Sequence, residues 1–200
     1  MAEKNNKFFI MKLAIILFAI TFIATLLLTL CNYITKDKIA LLEAQNAENA
    51  RQSVISGASF KKVDLDESIL KEHTSCGDIE AYRADKNGKF AGYCISVAPT
   101  GYIGQINMIV GINPDLSFAG IKIISMSETP GLGAKAADKE FYEQFSEGKK
   151  GTLLVVKNQA DPKENEINAV TGATITSKTI TKGANCALEI ATTLMESEAE

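Results

Sequence analysis

The sequence is poor in the side chains from which most metal centres are built. It has one histidine, His73, and four cysteines, Cys31, Cys76, Cys94 and Cys186, with no Cys-x-x-Cys pair among them. A zinc or iron–sulfur centre assembled from this chain alone therefore lacks ligands, and no metal site is expected. Nor is there an excess of positive charge. The net charge is −3 and no Lys/Arg cluster is interleaved with aromatics, which excludes nucleic acid as a partner. No Gly-x-Gly-x-x-Gly opens a helix after a strand, and no Lys stands in a phosphate-loop arrangement, so neither a dinucleotide fold nor a triphosphate cradle is indicated.

One segment lacks charge altogether. From Leu13 to Thr35 there are 23 uncharged residues rich in Leu, Ile, Phe and Ala, and about 20 such residues cross a bilayer core. A cleavable signal peptide has a shorter apolar region and a small-residue cleavage site, and Leu30 before Cys31 is too large for lipoprotein processing. The segment is read as a single transmembrane helix in contact with lipid. Lys4, Lys7 and Lys12 precede it and Lys36 and Lys38 follow it, and three cations against two favour a cytoplasmic N-terminus and an extracytoplasmic body. The expected organisation is a cytoplasmic N-terminus over residues 1–12, the span over 13–35, a juxtamembrane helical stalk over 36–56 and one domain over 57–200.

The body has the pattern of an α+β domain, an antiparallel sheet with flanking helices. "IEAYRADKNGKFAGYCISVA" holds two alternating runs around Asn87-Gly88, a hairpin signal. "IGQINMIVGI" and "FAGIKIIS" flank Asn113-Pro114-Asp115 as a second hairpin. A strand start and a short helix are expected within residues 58–77. Phe141, Tyr142 and Phe145 suit a short helix, and "GTLLVVK" reads as a buried strand. Ile180, Ala184, Ala187, Leu188, Ala191, Leu194 and Met195 share one face of an amphipathic C-terminal helix with an acidic, frayed tail. Cys76 and Cys94 either form a disulfide or remain two half-buried thiols.

Ahead of that last helix stands "AVTGATITSKTI", residues 169–180, with five hydroxyls around a Gly-Ala step. Thr174, Thr176 or Ser177 is placed to cap the helix. The same helix start also offers free N–H donors and a positive dipole end, which attract phosphate.

Thr171-Gly172-Ala173-Thr174-Ile175-Thr176 resembles the Ser/Thr-Gly-Ala-Thr-x-Thr flavinylation motif of the FMN-binding domain family. In that family the last hydroxyl carries FMN through a phosphoester made by a dedicated flavin transferase, and the matching residue here is Thr176. "SETPGLGAKAAD", residues 127–138, and "GYIGQI", residues 101–106, are similar to segments of the G-subunits of Rnf-type electron-transport complexes. The family often has Asp three residues before the first hydroxyl of the motif, where this chain has Asn168.

The resemblance implies an electron-relay subunit with covalent FMN and no substrate site of its own. It implies a place beside other membrane and peripheral subunits of an ion-translocating ferredoxin:NAD oxidoreductase in the cell (inner) membrane. Thr171, Gly172, Ala173 and Thr174 would line the attachment site. Gly131 and Gly133 would let the backbone approach the flavin ring, Leu132 would pack on its face, and Glu128, Thr129 and Lys135 would meet its edge. The alternatives are a flavoprotein like the C-subunit of a Na⁺-translocating NADH:quinone oxidoreductase and a non-redox membrane-anchored scaffold or sensor whose motif is only a helix cap.

Overall fold

The computed structural model describes residues 2–146, 148–157, 159–160 and 162–198. The chain divides into two compact units, residues 1–45 and 46–200. Helix α1, Ala2–Val54, runs through the first unit and into the second. In the first unit every large apolar side chain from Phe9 to Ile34 is exposed, and the helix is long and apolar enough to cross a membrane. Thr21, Thr25 and Thr29 each donate a hydroxyl bond to the carbonyl four residues back, at 3.1, 2.8 and 2.8 Å, so these hydroxyls are satisfied within the helix itself.

The second unit is built on a five-stranded antiparallel meander: β1 (Ser59–Val63), β2 (Glu80–Lys86), β3 (Lys89–Val97), β4 (Ile106–Ile112) and β5 (Phe118–Met126), paired in that order. The β2–β3 hairpin closes with Asn87 at φ 53° and Gly88 at φ 74°, the two positive dihedrals that an Asn-Gly turn supplies at low cost. In the β4–β5 connection a leucine, Leu116 at φ 60°, takes the left-handed position. Asp115 secures that turn by accepting from the backbone N–H and hydroxyl of Ser117, and Lys150 pairs with it at 2.7 Å. These contacts, Lys150 foremost, hold the Asp115 carboxyl well below the usual carboxylate range.

Strand alternation divides the core in two. On one face Tyr93, Ile95, Val97, Met108, Val110 and Ile112 meet Ile180, Ala184, Ala187, Ile190 and Ala191 of α4 (Thr174–Ser197). Gly183 allows this approach, because a Cβ there would lie 3.0 Å from Pro99 and 3.3 Å from Met108. On the other face Ala84, Cys94 and Ile109 meet Ala50, Ile55 and Ala58. A Cβ on Gly111 would stand 2.2 Å from Val54, so glycine there lets the end of α1 lie close on β4.

Short elements complete the unit. Helix α2 (Glu67–Glu72) follows β1, and α3 (Lys139–Tyr142) runs into a 3₁₀ turn that buries Phe141 and Phe145 edge to face. The "GTLLVVK" stretch departs from the expected buried strand. Only Leu154–Val156 form a strand, β6, paired in parallel with β7 (Glu166–Asn168), and Leu154 is exposed. Leu153 just ahead of it is the buried residue, its backbone N–H and C=O both held by the Asn185 side chain.

At Glu198 the chain departs from the expected frayed tail, of which residues 199–200 lie outside the described residues. Glu198 accepts a bond from Tyr93 Oη at 2.6 Å and pairs with Arg83, so the end of α4 is tied to the sheet. Burial and the Glu198 carboxylate together raise the Tyr93 phenol above its ordinary range.

The cysteine pairing differs from the Cys76–Cys94 alternative. Cys76 is joined to Cys186 of α4, with a Cα–Cα distance of 6.6 Å. Cys94 is a buried free thiol on the opposite face of the sheet, and burial pushes it up to about 12. The thiolate is the reactive form. Iodoacetamide at mildly alkaline pH is therefore expected to spare Cys94 in the folded protein and to label it after denaturation. Peptide mapping that finds native Cys94 alkylated as fast as a free thiol would contradict this burial.

Candidate functional site

Three loops meet at the start of α4. The first joins β3 to β4 and is pinched shut by Gly101 N–H donating to Gly104 O at 2.8 Å, which leaves Tyr102 and Ile103 at its tip. The second follows β5. There Thr129-Pro130-Gly131-Leu132 forms a turn with Leu132 N–H donating to Thr129 O at 3.1 Å and Gly131 at φ 77°, the positive dihedral that glycine supplies after Pro. A 3₁₀ turn over Gly133–Ala137 follows. The third is the hydroxyl-rich stretch itself, a turn closed by Ala173 N–H donating to Val170 O at 2.9 Å with Gly172 at φ 79°.

Glu128 joins them. Its side chain is only 8 % exposed. Oε1 accepts from the backbone N–H groups of Tyr102 and Ile103 at 2.8 and 3.3 Å, and Oε2 accepts from Thr176 Oγ1 at 3.0 Å. Among the described residues its hydrogen-bond partners are three donors, so both carboxyl oxygens act as acceptors. The packing leaves no slack, since a Cβ on Gly101 would fall 2.3 Å from Oε1 and one on Gly133 would fall 2.7 Å from Oε2 and 2.9 Å from Thr176 Oγ1.

The five hydroxyls have different tasks. Ser177 accepts from Val170 N–H and donates to Ala173 O, both at 3.0 Å, which clamps the turn. Thr179 reaches the carbonyl of Thr100 at 3.4 Å. Thr171 is exposed and Thr174 half-buried. Thr176, 2 % exposed, is the hydroxyl paired with a carboxylate. None of them caps the helix. The N-cap is Ala173, and no side chain among the described residues bonds to the free N–H groups of the first turn, the kind of donors that attract an anion.

Of the residues singled out from sequence, Glu128, Gly133 and Thr176 are in mutual contact, and Leu132 stands over Gly172, where a Cβ would lie 3.0 Å from its Cδ2. Around Gly131 the space is open. Thr129 serves the turn through its carbonyl. Lys135 lies to one side, lining a cleft of about 300 Å³ with Asp138, Phe141, Gln144, Asn168 and Thr171. The rim of the site carries exposed apolar side chains: Tyr102, Ile103, Leu132 and Ile175. Sequence reasoning gave no role to the Tyr102-Ile103 tip, although its flanking glycines in "GYIG" were the signal of a tight loop.

Asn168 explains its own departure from the aspartate common in the family. Its Oδ1 accepts from Gln159 N–H at 3.0 Å while its Nδ2 donates to Gln159 O at 2.9 Å. A carboxylate has no N–H for the second bond, so this pairing of the loop requires the amide.

Residues 101–189 match the FMN-binding domain, a segment that contains the tip of the first loop and the whole of the other two. The chain is 37 % identical over 190 residues to the G-subunit of the Na⁺-translocating ferredoxin:NAD⁺ oxidoreductase complex of Acetobacterium woodii, covering 90 % of this chain and 91 % of that one. The chain belongs to the G-subunit family of ion-translocating oxidoreductase complexes. A second family member, the G-subunit of the proton-translocating ferredoxin:NAD⁺ oxidoreductase complex of Clostridium ljungdahlii, is 35 % identical, with 86 % of each chain covered. The crystal structure of Shewanella oneidensis NqrC shares the fold with this G-subunit family member, at a TM-score of 0.55 and 15 % identity over 74 % of this chain and 88 % of that one.

The site fits an FMN group on its own chemistry. It offers unbonded N–H donors at a helix start for a phosphate. Exposed apolar side chains line the rim for a planar ring.

Proposed function

We propose that the chain is the electron-relay component of an Rnf-type ion-translocating ferredoxin:NAD oxidoreductase and carries FMN as a phosphoester on Thr176. The observation that carries the reading is the convergence of three separate loops on Thr176, the hydroxyl that pairs with a buried carboxylate at an uncapped helix start. Thr171, Gly172, Ala173 and Thr174 form the turn that delivers it. When bound, FMN supplies one- and two-electron transfer. The chain's own residues hold the phosphate end at the α4 N-terminus and present Leu132, Tyr102, Ile103 and Ile175 to the ring. Glu128 braces the loops from within, so edge contacts to the ring fall to Thr129 and Lys135.

Helix α1 anchors the protein among membrane partners, with its N-terminus in the cytoplasm and the flavin domain outside. The buried Cys76–Cys186 bridge supports that side, because disulfides persist in oxidising compartments. A covalent link suits this location, since FMN lost outside the cytoplasm is not readily replaced. A flavin transferase makes the link. The NqrC-like alternative is favoured by fold alone, whereas the similarity to the G-subunits extends over nearly the whole chain. The scaffold alternative needs the hydroxyls as a helix cap, a task none of them performs.

The deciding experiment is the intact mass of the protein from its native membrane beside that of Thr176→Ala, with in-gel flavin fluorescence. The expected result is a mass gain of one FMN less water, abolished in the variant. An unmodified chain from cells that contain the transferase would reject the covalent carrier.

A further inference from the structure

A threonine hydroxyl is a weak nucleophile until a neighbouring base takes its proton. Thr176 lies almost wholly out of solvent, so water is not that base. The single side chain hydrogen-bonded to it among the described residues is Glu128, whose Oε2 is 3.0 Å from Oγ1, within the reach a general base requires. Both partners are aimed. Glu128 is oriented by the N–H groups of Tyr102 and Ile103, and Thr176 by the first turn of α4.

We propose that Glu128 is the proton acceptor for attachment of FMN to Thr176, so that the acceptor protein carries the base for its own modification. The proposal rests on the reading of Thr176 as the attachment residue. An alcohol does not displace hydroxide from a free phosphate, so the donor is a phosphoanhydride of FMN, such as a flavin dinucleotide. Thr176 Oγ1 forms a bond to the FMN phosphorus while the anhydride P–O bond breaks, and the electron pair leaves on the departing phosphate oxygen. The Oγ1 proton passes to Glu128 Oε2. No atom changes oxidation state.

Proton transfer also resolves the charge of the product. An ionised Glu128 in contact with Oγ1 would face an anionic phosphodiester, a like-charge pair between two buried side chains. The neutral acid instead has an O–H to donate. The fit of Gly101 and Gly133 around the carboxylate serves the same end, since a Cβ at either position would displace it.

The test uses the full-length, flavin-free chain in detergent, a purified flavin transferase and flavin adenine dinucleotide, with the rate of mass gain as the readout. Glu128→Gln keeps an oxygen for the Tyr102 and Ile103 N–H groups but cannot take a proton. It is expected to load about 100-fold more slowly, the lower range for loss of a general base, with its thermal melt unchanged, while Glu128→Asp recovers most of the rate. Should Glu128→Gln melt early, Glu128→Ala with added formate reads the same chemistry, and a rate that climbs with formate supports the assignment. A wild-type rate in Glu128→Gln, an Asp variant as slow as the Gln variant, or an Ala variant indifferent to formate would overturn it. A wild-type chain that never gains FMN, or gains it away from Thr176, rejects the attachment reading instead.

Discussion

Cys76→Ser combined with Cys186→Ser is expected to destabilise the second unit by about 5 kcal/mol at most and by no less than about 2. The two cysteines are 110 residues apart in sequence, so the bridge removes a large loop from the unfolded ensemble, and the chain-entropy account assigns a loop of that size roughly 5 kcal/mol. Their surroundings push the same way. Cys76 and Cys186 are 2 % and 4 % exposed, and each hydroxymethyl in the variant leaves a buried polar group. Cys76 also anchors neighbouring backbone, with its carbonyl accepting from Ala98 N–H at 2.8 Å. Just beyond, a Cβ on Gly77 would stand 2.1 Å from the Ala98 carbonyl oxygen, so the bridged segment cannot shift to absorb the change. Equilibrium denaturation of the oxidised protein, the dithiothreitol-treated protein and the double variant measures the effect. A difference under about 1 kcal/mol between oxidised and reduced forms, below the range for loss of a native bridge, would mean that the bridge is absent from the native protein, and with it the support it gives to an oxidising location.

How far these features were readable from sequence depends on how local their causes are. The Asn87-Gly88 hairpin was legible because its two positive dihedrals belong to two adjacent residues. The buried face of α4 was legible because a helical period repeats along its whole length. The cysteine pairing was not legible by proximity in sequence. Strand alternation held part of the answer, since Cys94 lies between the α4-facing Tyr93 and Ile95 and so points away from α4, while Cys186 sits between Ala184 and Ala187 on the buried face. The short β6 failed for a different reason. A run of Leu and Val looks the same in a central strand and at the rim of a two-stranded sheet, and only the partner strand decides its burial. Glu198 was misjudged because the residues that tie it, Arg83 and Tyr93, come from strands 115 and 105 positions earlier.

The candidate site divides along the same line. Its separate blocks, with their glycines and the Pro-Gly turn, were visible one at a time. Their meeting on one carboxylate was not, because Glu128 is 48 residues from Thr176 and 26 from Tyr102. The Tyr102-Ile103 tip contributes backbone N–H groups, which leave no side-chain signature.

Gly133→Ala is expected to reduce covalent FMN loading by about 100-fold, the scale on which a misplaced reacting group loses rate, while Gly131→Ala is expected to leave the loading rate close to wild type. The two glycines differ in what their neighbours allow. Gly131 has nothing within 4 Å of an added Cβ but holds φ 77°, so alanine there costs about 1 kcal/mol of backbone strain without touching Glu128 or Thr176. Gly133 carries no positive dihedral. Its added Cβ would lie 2.7 Å from Glu128 Oε2, 2.9 Å from Glu128 Cβ and 2.9 Å from Thr176 Oγ1. The carboxylate oxygen alone could rotate aside, but the Glu128 Cβ is fixed to the backbone, so the methyl must wedge the Glu128 loop away from α4. The 3.0 Å bond between the two side chains then opens, and overpacking adds about 1–3 kcal/mol of instability. Intact-mass time courses and thermal melts on both variants separate the two effects. A Gly133→Ala chain that loads at the wild-type rate would mean that contact between Glu128 and Thr176 is not needed for attachment. Equal losses in both variants would trace the effect to stability of the 128–133 loop rather than to the geometry of the pair.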